Sequence, residues 1–421
     1  MSNGASMTPN SYTFNFRAMN RPRVLDYFTV LICMVIIPSA VFHGLLGVDE
    51  KTVFSIFAPI VLLGTWMMTG FHTPKTAIFL VLSFATIGAF ATLVAQNFSQ
   101  LLMGVTLSIA FIVGHQLYIC LKIPKMLRIL TWFTLALQLA GMIGIIYSAA
   151  GGQPLLEIQL GYRTTKLYLT TFSFAYIGDF IRPSGIFDEP GAFAMYAIIV
   201  TMFNDTLRQN HKLNLVIILL VIFTGSLAGL VLAILYFLTS NSTYIRHKAR
   251  IRLSAGLLSV YFLMLALFPA NPITNTLDTF YSARLVFVDG GLAGDNRSNQ
   301  ISNFFDIVND DILLYGSKNL PQKYDDMDFS SNPFSITFGY GLIISLPYFS
   351  LLGWLIWSTI KNGFRNSYTS IGLIFLLLQR PYIYHMSWSI LIASAVWLLY
   401  IDPRERWYWK KLGMNQLPKL H

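Results

Sequence analysis

An all-α, polytopic integral membrane protein, with about 12 transmembrane helices and two large periplasmic loops, is the fold class that the sequence predicts. Three observations carry that expectation. Of the 421 residues, 55% are hydrophobic and only 11% charged, whereas soluble chains are roughly one quarter charged. Apolar runs recur along the chain near the length of about 20 residues that a helix needs to cross hydrocarbon. The net charge of +10 sits in short clusters between those runs, and the clusters alternate between basic and acidic, as cytoplasmic and exported connections do. A nucleic-acid partner would need a continuous basic face, so the same clustering argues against one.

Residues 1–23 read as a cytoplasmic tail, rich in Ser, Asn and Thr and ending in Arg17, Arg21 and Arg23. The run Val24–Leu45 is too long for a signal-peptide core and lacks a small-x-small cleavage site, so it is expected to stay as the first helix. Helices follow at 52–70, 76–95, 100–121 and 126–150. Their connections alternate: Val48-Asp49-Glu50-Lys51 and Gln96–Gln100 fall on one side, Lys75 and the Lys122, Lys125, Arg128 group on the other with the N-terminus. Cys33 and Cys120 lie within apolar runs without metal or redox spacing and read as packing residues.

The fifth helix delivers the chain to a first long loop at about 151–189. The sixth begins at Glu189-Pro190, since proline suits a first turn where its missing N–H costs nothing. It returns to Arg208 and Lys212. Residues 213–239 are too many for one upright helix and few for two full passes. Charge favours two short passes bending near Thr224-Gly225-Ser226, because that keeps Arg246, Lys248, Arg250, Arg252 and the C-terminus cytoplasmic. A ninth pass at 253–270 leads to a second long loop at about 271–332. Passes near 333–360, 367–379 and 386–401 follow, the last two joined at Gln379–His385, and a basic tail occupies 402–421. Residues 24–401 thus form one transmembrane domain with both termini inside. The cytoplasmic segments then hold most of the basic residues and only four acids, Asp26, Asp205, Asp402 and Glu405.

The ionisable residues beside these helices are where chemistry is expected. The first loop carries Arg163, Lys166, Asp179, Arg182, Asp188 and Glu189. Arg163 and Lys166 read either as solvated, headgroup-facing residues or as contacts to a ligand. Arg182 lies in a run stiffened by Pro183, Gly185 and Pro190, so it is expected to be held, and its two-pronged fork suits phosphate oxygens. Asp188 and Glu189 stand at a helix N-terminus. Capping is one reading, and Glu189 as a general base is the sharper one. The second loop has Arg284 and Arg297 among Asp278, Asp289, Asp295, Asp306, Asp310, Asp311 and the run Asp325, Asp326, Asp328. These aspartates lack the alternating spacing of a calcium loop, so no metal is expected. His385 reads as interfacial packing beside Tyr382 and Tyr384 or as a ligand contact, and Arg380 as a contact to diphosphate or a loop carboxylate. Walker-type, HExxH, CxxC and GxSxG patterns are absent from the sequence. No ATP is available on the outer face of a bacterial membrane, so a reaction there must use a pre-activated substrate.

The pattern Arg182-x-x-Gly185-x-Phe187-x-Glu189-Pro190-Gly191-x-Phe193-Ala194-x-Tyr196 resembles the loop-to-helix segment of the bacterial O-antigen polymerase and ligase superfamily, of Wzy and WaaL types. Arg297 followed by Leu313-Leu314-Tyr315-Gly316 is similar to its second-loop segment. Ser331-Asn332-Pro333-Phe334 with Gly341-Leu342 resembles the start of the next helix, and Thr224-Gly225-Ser226-Leu227-Ala228-Gly229 the short central helix pair. The resemblance covers roughly 180–345. Ligases carry histidine where this chain has Ser331, which favours a polymerase, and family members often have arginine where this chain has Leu227.

The resemblance implies an inner-membrane glycosyltransferase that makes O-antigen or exopolysaccharide. It would transfer a growing glycan from undecaprenyl diphosphate to a lipid-linked repeat unit, with inversion and without a metal or other cofactor. Arg182, Arg297 and Glu189 are then the expected catalytic residues. Arg284, Arg380, Asp188, Arg163, Lys166, Asn332 and His385 are expected to contact diphosphate or glycan. Membrane lipid, a chain-length regulator and a flippase are the implied partners. A ligase acting on lipid A-core and a polysaccharide flippase or transporter are the alternatives.

Overall fold

The computed structural model describes residues 22–69, 75–160, 163–177, 180–240, 304–317, 332–363, 367–379 and 382–411, with short pieces at 249, 252, 255–256, 287–288 and 291–292. The chain opens with α1 (Val24–Leu31), continued by a π-helical turn over Ile32–Ile36, and then bends by 89° into α2 (Ala40–Leu46). The straight first helix expected over 24–45 is therefore broken, and the cause is local. Pro38 cannot donate to the helical ladder, and Ser39 restarts it as an N-cap, its hydroxyl accepting from Phe42 N–H at 3.1 Å.

α3 (Glu50–Thr69), α4 (Lys75–Ala95), α5 (Ser99–Lys122) and α6 (Pro124–Ala149) follow close to the expected runs. After the first loop come α7 (Pro190–Thr206), α8 (His211–Val221, prolonged by a 3-10 turn to Thr224) and α9 (Leu227–Thr239). The later part holds α10 (Asp310–Tyr315), α11 (Ser335–Tyr340), α12 (Leu342–Asn362), α13 (Tyr368–Gln379) and α14 (Met386–Lys411). The last helix runs ten residues beyond the end expected at 401. The expected ninth pass at 253–270 lies outside the described residues.

Among the described residues, four helices are long and apolar enough to cross a membrane: Thr76–Ala95, Ser99–Lys122, Pro124–Ala149 and Leu342–Lys361. The bent α1–α2 pair would make a fifth. Their outward surfaces are apolar, with Phe79, Leu82 and Leu93 exposed on α4, Trp132 and Ile146 on α6, and Trp357 and Ile360 on α12. Polar residues such as Gln100, Ser108, Thr131, Thr134 and Gln138 are buried instead. An apolar outer surface, with polar residues buried among an apolar core, suits a surrounding of lipid tails.

Two helices act as axes. α5 approaches α4 at Gly104, where a Cβ would come within 2.5 Å of the Phe84 carbonyl, and α14 at Gly114, where it would come within 2.7 Å of the Ala393 Cβ. Small residues allow such backbone approach in the absence of a hydrophobic driving force between helices. α7 is buried along nearly its whole length, against α6, α8, α9 and α13. α8 and α9 form an antiparallel hairpin, as expected from the break at Thr224-Gly225-Ser226. Asn214 Nδ2 donates to the Tyr236 hydroxyl at 3.4 Å, although a continuous helix would hold them about 33 Å apart. Gly225 makes the reversal at φ +60, and the Ser226 hydroxyl caps α9 by accepting from Gly229 N–H at 3.3 Å.

The turns of the bundle sort into two ends, as the alternation of charge predicts. At one end Glu50 meets His385, and Gln100 Nε2 donates to the Tyr340 carbonyl at 3.0 Å. At the other, Thr76 meets Tyr400 at 3.3 Å and Thr206 meets Thr369 at 2.7 Å. Near the latter, Asn204 binds Thr131, Asn210 and Asn214 in one buried network that ties α6, α7 and α8.

The departure from an all-helical chain is the first loop, which forms a three-stranded antiparallel sheet, β1 (Leu156–Leu160), β2 (Arg163–Tyr168) and β3 (Thr171–Ser173), and a two-stranded one, β4 (Tyr176–Ile177) and β5 (Phe180–Ile181). A third pair, β6 (Phe287–Val288) and β7 (Gly291–Leu292), lies in the second loop. The first loop, through the three-stranded sheet and Pro183, is seated on α6 at two glycines about one turn apart. A Cβ on Gly144 would meet Thr171 Cγ2 at 2.3 Å, and one on Gly141 would meet Pro183 Cβ at 3.1 Å. Gly144→Leu should therefore unseat the sheet and lower stability by about 1–3 kcal/mol, as overpacking does. Gly353→Ala, where no heavy atom lies within 4 Å, should change little. Thermal denaturation of the two variants in detergent checks this.

Candidate functional site

The loop from Arg182 to Glu189 is held from both sides. Arg182 N–H donates to the Ala175 carbonyl at 2.8 Å, and the Arg182 carbonyl accepts from the Ser173 hydroxyl at 2.7 Å. Ser184 N–H and hydroxyl both donate to the Phe172 carbonyl at 2.8 Å. Gly185, at φ +61, makes the turn that lets Phe172 N–H donate to its carbonyl at 3.2 Å. On the far side, the Ser39 hydroxyl and Val41 N–H of α2 donate to the Ile186 carbonyl at 2.9 and 3.3 Å. Phe187 is fully buried and stacks against Phe193 and Tyr196 of α7 and Trp388 of α14, at ring separations of 5.8, 4.9 and 5.8 Å. The aromatic positions of the Arg182–Tyr196 pattern are thus the anchor of the loop.

Arg182 is the residue through which this loop meets the helices. Its Nη2 donates to the Gly225 carbonyl at 2.9 Å and its Nε to the Thr224 carbonyl at 3.4 Å. These carbonyls sit at the break between α8 and α9, where no helical N–H can satisfy them. Glu189 is the N-cap of α7, half-buried, with Pro190 at the first helical position. Its Oε1 and the Ser226 hydroxyl both lie within 4 Å of the point where a Gly191 Cβ would stand, at 3.6 and 3.8 Å. Arg182, Glu189 and the hairpin tip are therefore brought together, with half-buried Asp188 beside Glu189.

The other expected site residues fall in several places. Lys166 lies on β2 and pairs across the sheet with Glu157 at 3.0 Å, in register. Its ammonium pKa is pushed up by that carboxylate. Arg163 starts β2, opposite Leu160, next to the β1–β2 turn. Asn332 is buried, and its Oδ1 accepts from Phe334 N–H at 2.8 Å in the turn that opens α11. Gly316 and Gly341, at φ +81 and +86, allow the α10 and α11 segments to touch; a Cβ on Gly316 would lie 2.6 Å from Gly341 N. Arg284, Arg297, Arg380, Asp179 and the Asp325, Asp326, Asp328 run lie outside the described residues.

His385 is held by a residue that the sequence reading leaves as a mere turn. Its Nδ1 stands 3.0 Å from Glu50 Oε1, which also accepts from Ser387 N–H at 2.6 Å. Burial pushes the Glu50 carboxyl up, but the imidazole and the Ser387 N–H outweigh it and hold the carboxyl below its ordinary value. The turn carrying His385 also ties the first loop to α12, since Trp388 packs on Phe187 and the Tyr384 hydroxyl donates to the Ile344 carbonyl of α12. Among the described residues, no group of three or more His, Cys, Asp or Glu could hold a metal.

No family model matches this chain, and neither a curated protein nor a solved structure matches it. Its chemistry must be read from the site itself.

Arg182→Ala should free the hairpin tip without unfolding the bundle. Loss of a charged hydrogen bond of about 1.5–3 kcal/mol would raise amide hydrogen exchange over Gly225–Leu230 by roughly tenfold or more. Exchange mapped by mass spectrometry checks it, and unchanged protection would show that Arg182 does not hold the tip.

Proposed function

We propose that the protein is a membrane glycosyltransferase of the polysaccharide-polymerase type, acting at the loop end of the bundle, which faces the periplasm across the inner membrane of a bacterial cell in a chain of about twelve passes. The donor is a growing glycan on undecaprenyl diphosphate, and the acceptor is one lipid-linked repeat unit. The acceptor hydroxyl attacks the anomeric carbon with inversion, and the lipid diphosphate leaves with the bonding electrons. The product is an O-antigen or exopolysaccharide chain longer by the acceptor's repeat unit and carried on the acceptor's lipid.

The observation that carries this reading is the guanidinium of Arg182, fixed on the hairpin tip that Glu189 also approaches. Two bonds to backbone carbonyls set the plane of the guanidinium. A donor held in place needs no reorganisation as charge develops on a leaving diphosphate, which is where such groups contribute most to rate. Arg297, Arg284 and Arg380 are proposed to share that charge. Arginines can do so without a divalent metal. Asp188, Asn332, Arg163, Lys166 and His385 would line the path of the glycan. A chain-length regulator and a flippase are the proposed protein partners.

One observation favours a second reading. The α8–α9 hairpin is a pair of short broken helices, as transporters use around a substrate. Its tip, however, meets a charged loop at one end of the bundle, where a transporter would place polar groups at mid-depth.

With purified protein, a lipid-diphosphate-linked repeat unit and EDTA, a ladder of products on a gel is expected. Arg182→Ala and Arg297→Ala should abolish it while both proteins still insert. Normal polymer from either variant would remove that arginine from the mechanism. Movement of the lipid across vesicles without any ladder would point to transport.

A further inference from the structure

The acceptor hydroxyl must lose its proton, and the structure offers a second candidate to receive it besides Glu189. His385 and Glu50 come from turns distant in sequence, yet their Nδ1 and Oε1 lie 3.0 Å apart. An ionised carboxylate only accepts hydrogen bonds. The proton of a neutral His385 ring therefore sits on Nδ1, and the lone pair on Nε2. Ser387 N–H donates to the same Oε1 at 2.6 Å, which fixes the carboxylate. The His385 side chain is 52% exposed and that of Glu50 28%, so solvent reaches the imidazole more than the carboxylate that holds it. An imidazole with an ordinary pKa of about 6.5 is a base near neutral pH, whereas a carboxylate at about 4.3 must first be raised by two units or more.

We propose that His385 is the general base of the transfer and that Glu50 positions it, an assignment that rests on the polymerase reading above. The acceptor O–H proton moves to Nε2 as the oxygen forms its bond to the anomeric carbon. The bond from that carbon to the diphosphate oxygen breaks, and the electrons leave with the lipid diphosphate. Glu50 keeps the Nδ1 proton in place and stabilises the imidazolium, and it is not itself protonated. Near the pair stand His43 on α2, Asp49 and Lys51 flanking Glu50, and Tyr384 beside His385, whose hydroxyl donates to the Ile344 carbonyl.

The test is the pH profile of chain extension for the parent, His385→Gln and Glu50→Gln, with assembly of each checked by gel filtration. His385→Gln should lose at least about 100-fold in rate. Glu50→Gln should lose less, and its acid limb should move to lower pH by about one unit or more, because a neutral amide no longer favours the imidazolium. The parent's own acid limb should fall at or above the ordinary imidazole value of about 6.5, since the carboxylate beside it favours the imidazolium, a result that needs no variant to fold; a limb near 4.5 would indicate a carboxylate base and overturn the proposal. A His385→Gln rate within threefold of the parent would overturn the base alone. A slowed Glu50→Gln with an unmoved limb would reduce Glu50 to a structural tie and overturn its positioning role. No ladder from the parent under any condition would instead overturn the polymerase reading, and the base with it.

Discussion

The contact on which the loop end depends is the donation from Arg182 to the carbonyls of Thr224 and Gly225. A helix that stops inside a membrane protein leaves carbonyls that neither lipid nor a following turn can satisfy, and each costs several kcal/mol if left bare. Here a side chain from the first loop satisfies them. That one interaction lets α8 and α9 reverse at Gly225. It also fixes the plane of the guanidinium and ties the β-layer to the bundle. The Arg182 backbone is in turn held by Ser173 and Ala175, so sheet, loop and hairpin are ordered as a unit.

The rest of the architecture supplies a rigid seat for that unit. α6 offers Gly141 and Gly144, flat enough for Pro183 and Thr171 to lie against the helix. α7 places Phe193 and Tyr196 under Phe187. α14 adds Trp388 from the third side, and its first turn carries Ser387 to the Glu50 carboxylate. A charged loop over a buried aromatic floor is a setting in which electrostatic contacts gain strength through exclusion of water. This is the physical basis for proposing diphosphate chemistry at this end and not at the opposite one, where the described polar network is built of neutral Asn and Thr side chains.

Much of this was legible in the sequence, and for identifiable reasons. Pro190 marks the start of α7 because proline suits a helix's first turn, where its missing N–H costs nothing. The Thr224-Gly225-Ser226 break follows from chain length and charge together, and the Asn214–Tyr236 bond bears out the reversal. Charge alternation puts Glu50, Gln100 and His385 on one side, and their contacts agree. The β-layer was harder to see. Leu156-Glu157-Ile158-Gln159-Leu160 alternates strictly, but five residues of period two are a weak signal beside apolar runs four times as long. The 89° bend at Pro38 and Ser39 hides inside an unbroken apolar run for the same reason. The Glu50–His385 pair leaves no local trace, because nothing in either turn names a partner more than 300 residues away.

The central claim is that a lipid diphosphate carrying a glycan sits over Arg182 and the hairpin tip. Photo-crosslinking tests it most directly, using a lipid-diphosphate-linked repeat unit that bears a photoreactive group next to the diphosphate, followed by mass-spectrometric mapping of the labelled peptides. The account predicts labels within 182–196 and 222–230, competed away by the unmodified lipid. Competable labels confined to the opposite end, around Thr131, Asn204 and Asn214, would contradict it.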